Sequence, residues 1–370
     1  MHRPRKSPRP DPPRPAPDRD NGTARRLHGM LCGLPCVVRE GRARRPATGA
    51  PHGARETTAG GHTVLDPQEL YTVADDAPQL SDPVLVVVLD GFVDAGNAAR
   101  LAAEALLEGR ETTPVVHFDV DQLVDYRSRR PPLQFETDHW ASYSPPVLDI
   151  VAVTDTGDTP YLLLFGPEPD SQWERFVAAI EQIVRRFGVR LVITLSGIPM
   201  AVPHTRPIGV TAHATRADLV EGHTAWFGSA EVPGSATALL EYRLGEAGHD
   251  AMGFAVHVPH YLARAEYPQA ARTLLDHTGV SAGLFLPTES LTKAAERTEV
   301  EIAEQVENSE EVAQVVAALE RQYDTVAEAA GEGGSGGLGG ELPSAEELAA
   351  EVERFLAMRD PEDELPGDDG

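Results

Sequence analysis

Residues 84–89 read VLVVVL, an unbroken apolar run rich in β-branched side chains, the pattern of a strand buried on both faces. The period then changes. Behind the turn Asp90-Gly91-Phe92-Val93-Asp94, the stretch 95–108 places Ala98, Leu101, Ala102, Ala105 and Leu106 at helical spacing, with Asp94 as the expected N-cap. The same reading predicts further strands at 114–118, 148–154, 161–165, 191–195, 208–212 and 251–258, and helices at 172–187, 235–247 and 267–277. Strands alternating with helices of about 10 to 15 residues need crossover connections, so the chain is expected to be α/β: a mixed, mostly parallel sheet flanked by helices. The turn TDTGDTP, residues 154–160, adds one antiparallel hairpin.

Residues 289–330 contain neither Pro nor Gly, and Val312, Val315, Val316, Leu319, Tyr323 and Val326 recur at steps of three and four. This predicts a C-terminal helical extension, one long amphipathic helix or a helical hairpin, whose stripe packs on the α/β body, the alternative being a surface for a partner. GEGGSGGLGG, 331–340, reads as a flexible linker. Within 341–360, Ser344-Ala345-Glu346-Glu347 fits a capping box, and Leu348, Val352, Phe355 and Leu356 share one helical face. That short helix is expected to dock, in cis or in trans. The acidic tail 361–370 and the Pro/Arg-rich extension 1–63 have little to bury and are expected to be disordered, leaving 64–288 as the α/β core domain.

Charge sharpens this division. Residues 1–60 carry 13 Arg and Lys against 5 Asp and Glu, whereas the other residues carry 19 against 53, for a net charge of −26 over 370 residues. So acidic a body repels phosphate backbones, and its cations are scattered, which argues against a nucleic-acid partner. No apolar run approaches the roughly 20 residues of a bilayer-crossing helix, so no membrane association is expected. The only cysteines, Cys32 and Cys36, make no disulfide framework and have no second ligand pair for zinc. Residues 27–38 have the outline of a signal peptide, but two glycines and a proline interrupt it, which argues against secretion. The first 60 or so residues read more simply as translation from an upstream start, with the natural protein beginning near Val64.

Candidate chemistry falls at the ends of predicted strands. The loop from Asp90 through Asp94 to Asn97 resembles a phosphate loop, but Asn97 stands where the lysine would be, so a tight turn with an N-cap is the plain reading and a pocket wall the functional one. Three other loops bring Glu168 and Asp170, His204 and Arg206, and His257 and His260. Together these would line one cleft fit for acid/base work or anion binding. Glu168 and Asp170 also fit simple helix-capping charges. His257 and His260 lack the spacing and the glutamate of a zinc helix, and no metal or cofactor is expected. No G-x-S-x-G elbow occurs. Arg127, Arg129 and Arg130 form a cationic loop suited to pairing with a neighbour or gripping an anion, the plain alternative being solvated arginines.

The segments VVVLDGFVDAGNAARLAAEAL, HFDVDQLVDYRSRRPPL, LLLFGPEPDSQWERF, LSGIPMAVPHTRP, VPGSATALLEYR and HVPHYLARAEYPQAARTLL resemble, in number and order, the proteasome assembly chaperone 2 family in its actinobacterial form. The resemblance spans about 65–286. It implies a phosphorylase/hydrolase-like α/β fold and a cytoplasmic, self-associating protein without known catalysis, whose partners are proteins, proteasome subunits among them. Relatives dock through a C-terminal tail of a hydrophobic residue, tyrosine and one more residue; this chain ends in Asp368-Asp369-Gly370 and departs from that pattern. Two readings follow. The first is a non-enzymatic protein-interaction factor working through its acidic surface, the arginine loop and the C-terminal helices. The alternative is a phosphorylase- or hydrolase-like enzyme acting on a nucleoside-like or amide substrate, with Arg206 holding an anion and His204 or His260 moving protons.

Overall fold

The structure is a computed structural model that describes residues 65–332 apart from 224, 225, 227, 228 and 230, and without the side chains of 326 and 328–332. In chain order the strands are β1 (Tyr71–Val73), β2 (Val84–Asp90), β3 (Thr113–Phe118), β4 (Leu133–Glu136), β5 (His139–Tyr143), β6 (Asp149–Thr154), β7 (Pro160–Pro167), β8 (Leu191–Met200), β9 (Val210–Ala214) and β10 (Ala251–Pro259). The helices are α1 (Ala98–Leu107), the single turn α2 (Val120–Leu123), α3 (Trp173–Phe187), α4 (Ala236–Glu246), α5 (Pro268–Ala282), α6 (Glu289–Glu307) and α7 (Glu310–Glu332). Eight strands form one sheet in the order β1-β3-β6-β7-β2-β8-β10-β9. Its middle, β7-β2-β8-β10, is parallel, and the flanking pairs are antiparallel. The expected mixed sheet flanked by helices is present, its parallel part being the four-stranded middle.

The run VLVVVL is buried on both faces because alternate side chains enter different cores. Val84, Val86 and Val88 pack with α1, α5 and α6, whereas Leu85, Val87 and Leu89 pack with α3 and α4. Helix α3 closes the second core with Phe176, Val177, Ile180, Ile183 and Val184, one face of an amphipathic helix. The helix after β2 therefore covers one face of the sheet and the helix after the adjacent β7 covers the other. Such a change of face opens a crevice at the carboxyl ends of the two strands.

Several boundaries differ from the sequence expectation. Strand β8 runs on to Met200 because β10 pairs with it through Pro259↔Met200, so pairing overrides the Gly and Pro of its second half. The strand expected at 208–212 lies at Val210–Ala214. The helical extension breaks at Asn308, where Ser309 caps α7 (Val312 N–H to Ser309 Oγ, 3.4 Å). Of the α7 stripe, Val316 and Leu319 are buried, whereas Val312 and Val315 stay exposed. The extension 1–63, the linker, the capping-box helix with Leu348, Val352, Phe355 and Leu356, and the acidic tail lie outside the described residues, as does the close of the stripe, the Val326 side chain. Among the described residues no helix is long and apolar enough to cross a membrane.

The hairpin β4-β5 was not foreseen. It is a separate two-stranded ribbon between α2 and β6, with every residue exposed.

Candidate functional site

The four loops singled out in the sequence all leave the carboxyl edge of the parallel strands β2, β7, β8 and β10. The first is a cap. Asp94 Oδ1 accepts the Ala99 N–H (2.9 Å) and Oδ2 the Arg100 N–H (3.0 Å), one short turn upstream of α1. Burial raises the Asp94 pKa, against the pull of those backbone donors, with the charge of Asp90 adding to the rise. Asn97 takes the left-handed φ of 49° at the start of α1, and its side chain makes no capping bond. The loop sits hard against its neighbours: a Cβ on Gly197 of β8 would lie 2.3 Å from the Ala95 carbonyl oxygen. Gly96, at φ 69°, donates to the Ala263 carbonyl (2.9 Å) and accepts the Tyr267 N–H (2.9 Å), which ties the turn to the segment after β10.

Hydrogen bonding divides the sequence-selected side chains into two groups. In one, the buried carboxylate of Glu168 accepts the Ala236 N–H at the start of α4 (2.6 Å) and the Phe92 N–H (3.2 Å). Asp170 accepts the Asp125 N–H (2.7 Å) and lies 3.4 Å from Arg129 Nη2. Arg129 also donates to the carbonyl of Asp90 (2.7 Å), whose side chain is exposed. Arg127 is exposed beside Asp125 (3.1 Å). Among the described residues Arg130 has no ion-pair partner.

In the second group, the Tyr261 hydroxyl oxygen accepts the His204 backbone N–H (2.9 Å) and shares a hydrogen bond with His204 Nδ1 (2.7 Å). Burial lowers the His204 pKa, against the attraction of Glu320 and Glu299. Arg206 grips α7: Nε and Nη2 each reach Asp324 at 2.7 Å and Nη1 reaches Glu320 at 3.3 Å. These carboxylates raise the Arg206 pKa, the Asp324 hydrogen bond most. The cation proposed for anion binding thus latches a helix of the same chain. His260 is exposed, its ring 5.5 Å from that of Tyr261. His257 points into the core, bonded to Thr211 Oγ1 (2.8 Å), with the Trp226 ring 4.6 Å away. Burial pushes it down to about 4. Among the described residues no group of three or more His, Cys, Asp or Glu side chains could hold a metal ion.

The crevice predicted by the change of face is present. A cleft of about 540 Å³ opens between β2, β7, α1 and the foot of the ribbon, lined by Val88, Leu107, Phe165 and Pro131, Pro132, Pro145 and Pro146, with Arg100, Arg129 and Arg130 among its walls. The ribbon begins where the cleft ends. Leu133 faces Tyr143 and Phe135 faces Trp140 across the strands, the last two in a T-shaped contact at 5.1 Å, whereas Gln134 faces Ser142 and Glu136 faces His139. One face is apolar and the other polar, and Leu133, Phe135, Trp140 and Tyr143 are 49 to 66% exposed. The sequence carries this signal in the alternation LQFE and the aromatic pair of HWASY on either side of Thr137-Asp138.

The family model that matches the chain is the one described as the PAC2 family, over residues 88–306. A protein of unknown function from Mycobacterium tuberculosis is similar at 49% identity over 70% of this chain and 92% of its own, with a TM-score of 0.68. A protein of unknown function from Corynebacterium glutamicum is similar at 38% identity, over 70% of this chain and 98% of its own, with a TM-score of 0.68. A second M. tuberculosis structure, described as a proteasome-assembly chaperone homologue, is similar at 27% identity over 63% of this chain and 99% of its own, with a TM-score of 0.57. No curated protein matches.

Proposed function

Because the chain belongs to the PAC2 family, we propose that it acts as a non-enzymatic protein-interaction factor of the proteasome-assembly-chaperone kind, with the exposed ribbon as its recognition surface. The ribbon's apolar face carries this reading. A two-stranded hairpin is marginal alone in water, and a contiguous apolar patch kept exposed marks a protein-binding surface. Its composition of Trp, Tyr, Phe and neighbouring Arg is the one enriched where interfaces hold most of their energy. The hydrogen bonding of the edge loops supports recognition over bond-making. Asp94 and Glu168 hold helix starts, Arg206 is engaged by α7, and His204 Nδ1 is hydrogen-bonded to the Tyr261 hydroxyl. The finer reading is that the partners are proteasome subunits met in the cytoplasm.

The test is a pull-down and assembly assay with purified proteasome α and β subunits from the same cell. The native chain should retain subunits, and Phe135→Ser with Trp140→Ser should lose at least about tenfold in retention, the loss expected when an aromatic anchor is removed. Absence of association, or retention unaffected by the double substitution, contradicts the reading.

A further inference from the structure

We propose that the cleft at the foot of the ribbon is the seat of this chain's own C-terminal segment, residues 344–356, which folds back on the body that carries it. This goes beyond the reading above, since it concerns an intramolecular occupant and holds whatever the external partner is. Three observations carry it.

The first is the cleft's chemistry. Its walls are chiefly apolar, with Phe165, Leu107 and the prolines at 131, 132, 145 and 146, so it suits apolar side chains. The second is charge. Residues beyond 60 carry 19 Arg and Lys against 53 Asp and Glu, yet in this one cleft three arginines outnumber the two acidic residues of the lining, Asp90 and Glu104. Arg100 is satisfied by Glu104 and Glu266, and Arg129 by Asp170, whereas Arg130 is exposed and has no ion-pair partner among the described residues. The matching occupant is an amphipathic segment with acidic flanks. The sequence of residues 344–356 spaces Leu348, Val352, Phe355 and Leu356 as an amphipathic helix would, with Glu347 and Glu351 four residues apart.

The third is reach. Helix α7 passes the same sheet edge, since Glu320 and Asp324 meet Arg206 in the loop beyond β8, and the cleft opens at β2 and β7, the next two strands in the sheet. The Gly-rich stretch 333–343 that follows α7 spans up to about 35 Å when extended. A segment so tethered meets the cleft at an effective concentration near millimolar, which favours it over the same segment of a second copy.

The test uses the full chain with Cys32→Ser and Cys36→Ser, adding Ser144→Cys in the cleft wall and Ala349→Cys in the tail. A short bismaleimide is applied at micromolar protein, and intact mass and peptide mapping are read. An intrachain cross-link is expected, with its yield falling roughly fivefold on adding Arg130→Glu, the loss of an ion pair with reversal of its charge. Phe355→Asp should lower it similarly; that substitution leaves the α/β body untouched, so it stays informative if Arg130→Glu disturbs folding. A yield unchanged by Phe355→Asp overturns the proposal, and so does a cross-link found mainly between two chains.

Discussion

Glu168 illustrates how a carboxylate at a sheet edge can serve the fold rather than chemistry. It is buried at 5% exposure, and its two oxygens join the loop after β2 to the first turn of α4. Glu168→Gln keeps one acceptor oxygen but turns an amide donor toward a backbone N–H, so it should cost about 1 to 3 kcal/mol. Urea unfolding measures this, and an unchanged midpoint would show that the two bonds are dispensable. His257 makes the matching case for an imidazole. Its side chain is 0% exposed, and burial lowers its pKa to about 4, against roughly 6.5 in the unfolded chain. As pH falls, the unfolded chain takes up this proton first. Its contribution is therefore undiminished above about pH 6.5, and on the order of 3 kcal/mol is lost progressively between there and about pH 4. An NMR titration should place the His257 midpoint near 4; a midpoint near 6.5 would mean that the ring meets water.

At the scale of elements, the two-sided burial of VLVVVL and the helical stripes of α1 and α3 are plain in the sequence, because each rests on a local period that one packing partner reinforces. What escaped was set by distant partners. Strand β8 continues through Gly197 and Pro199 because β10 lies alongside, and Arg206 faces Asp324 more than a hundred residues away, a pairing that no local pattern announces. The ribbon escaped for another reason: its alternation is short and lies directly behind a Pro-rich loop. The candidate site was legible as a set of loops at one edge, but not as two hydrogen-bonded groups. Since the ribbon's aromatic face meets no core cluster, Trp140→Ser should change stability by less than about 0.5 kcal/mol. Chemical denaturation checks this, and a loss above about 2 kcal/mol would mean that the aromatic face is packed on the body.

For the whole molecule, one sheet separates two apolar cores, and the carboxyl edge gathers caps, a latched helix, a cleft and an exposed ribbon. Polar groups at this edge hold segments of the chain in place, and the ribbon beside it presents Leu133, Phe135, Trp140 and Tyr143 together to solvent. This arrangement supports the proposed protein-binding role. The most direct measurement is cross-linking mass spectrometry on the full chain in its native extract, comparing wild type with Phe135→Ser plus Trp140→Ser. The account predicts cross-links from residues 125–145 to proteasome subunits that vanish in the variant while the fold persists. Unchanged cross-links in the variant, or proteasome contacts confined to other faces of the molecule, would contradict it.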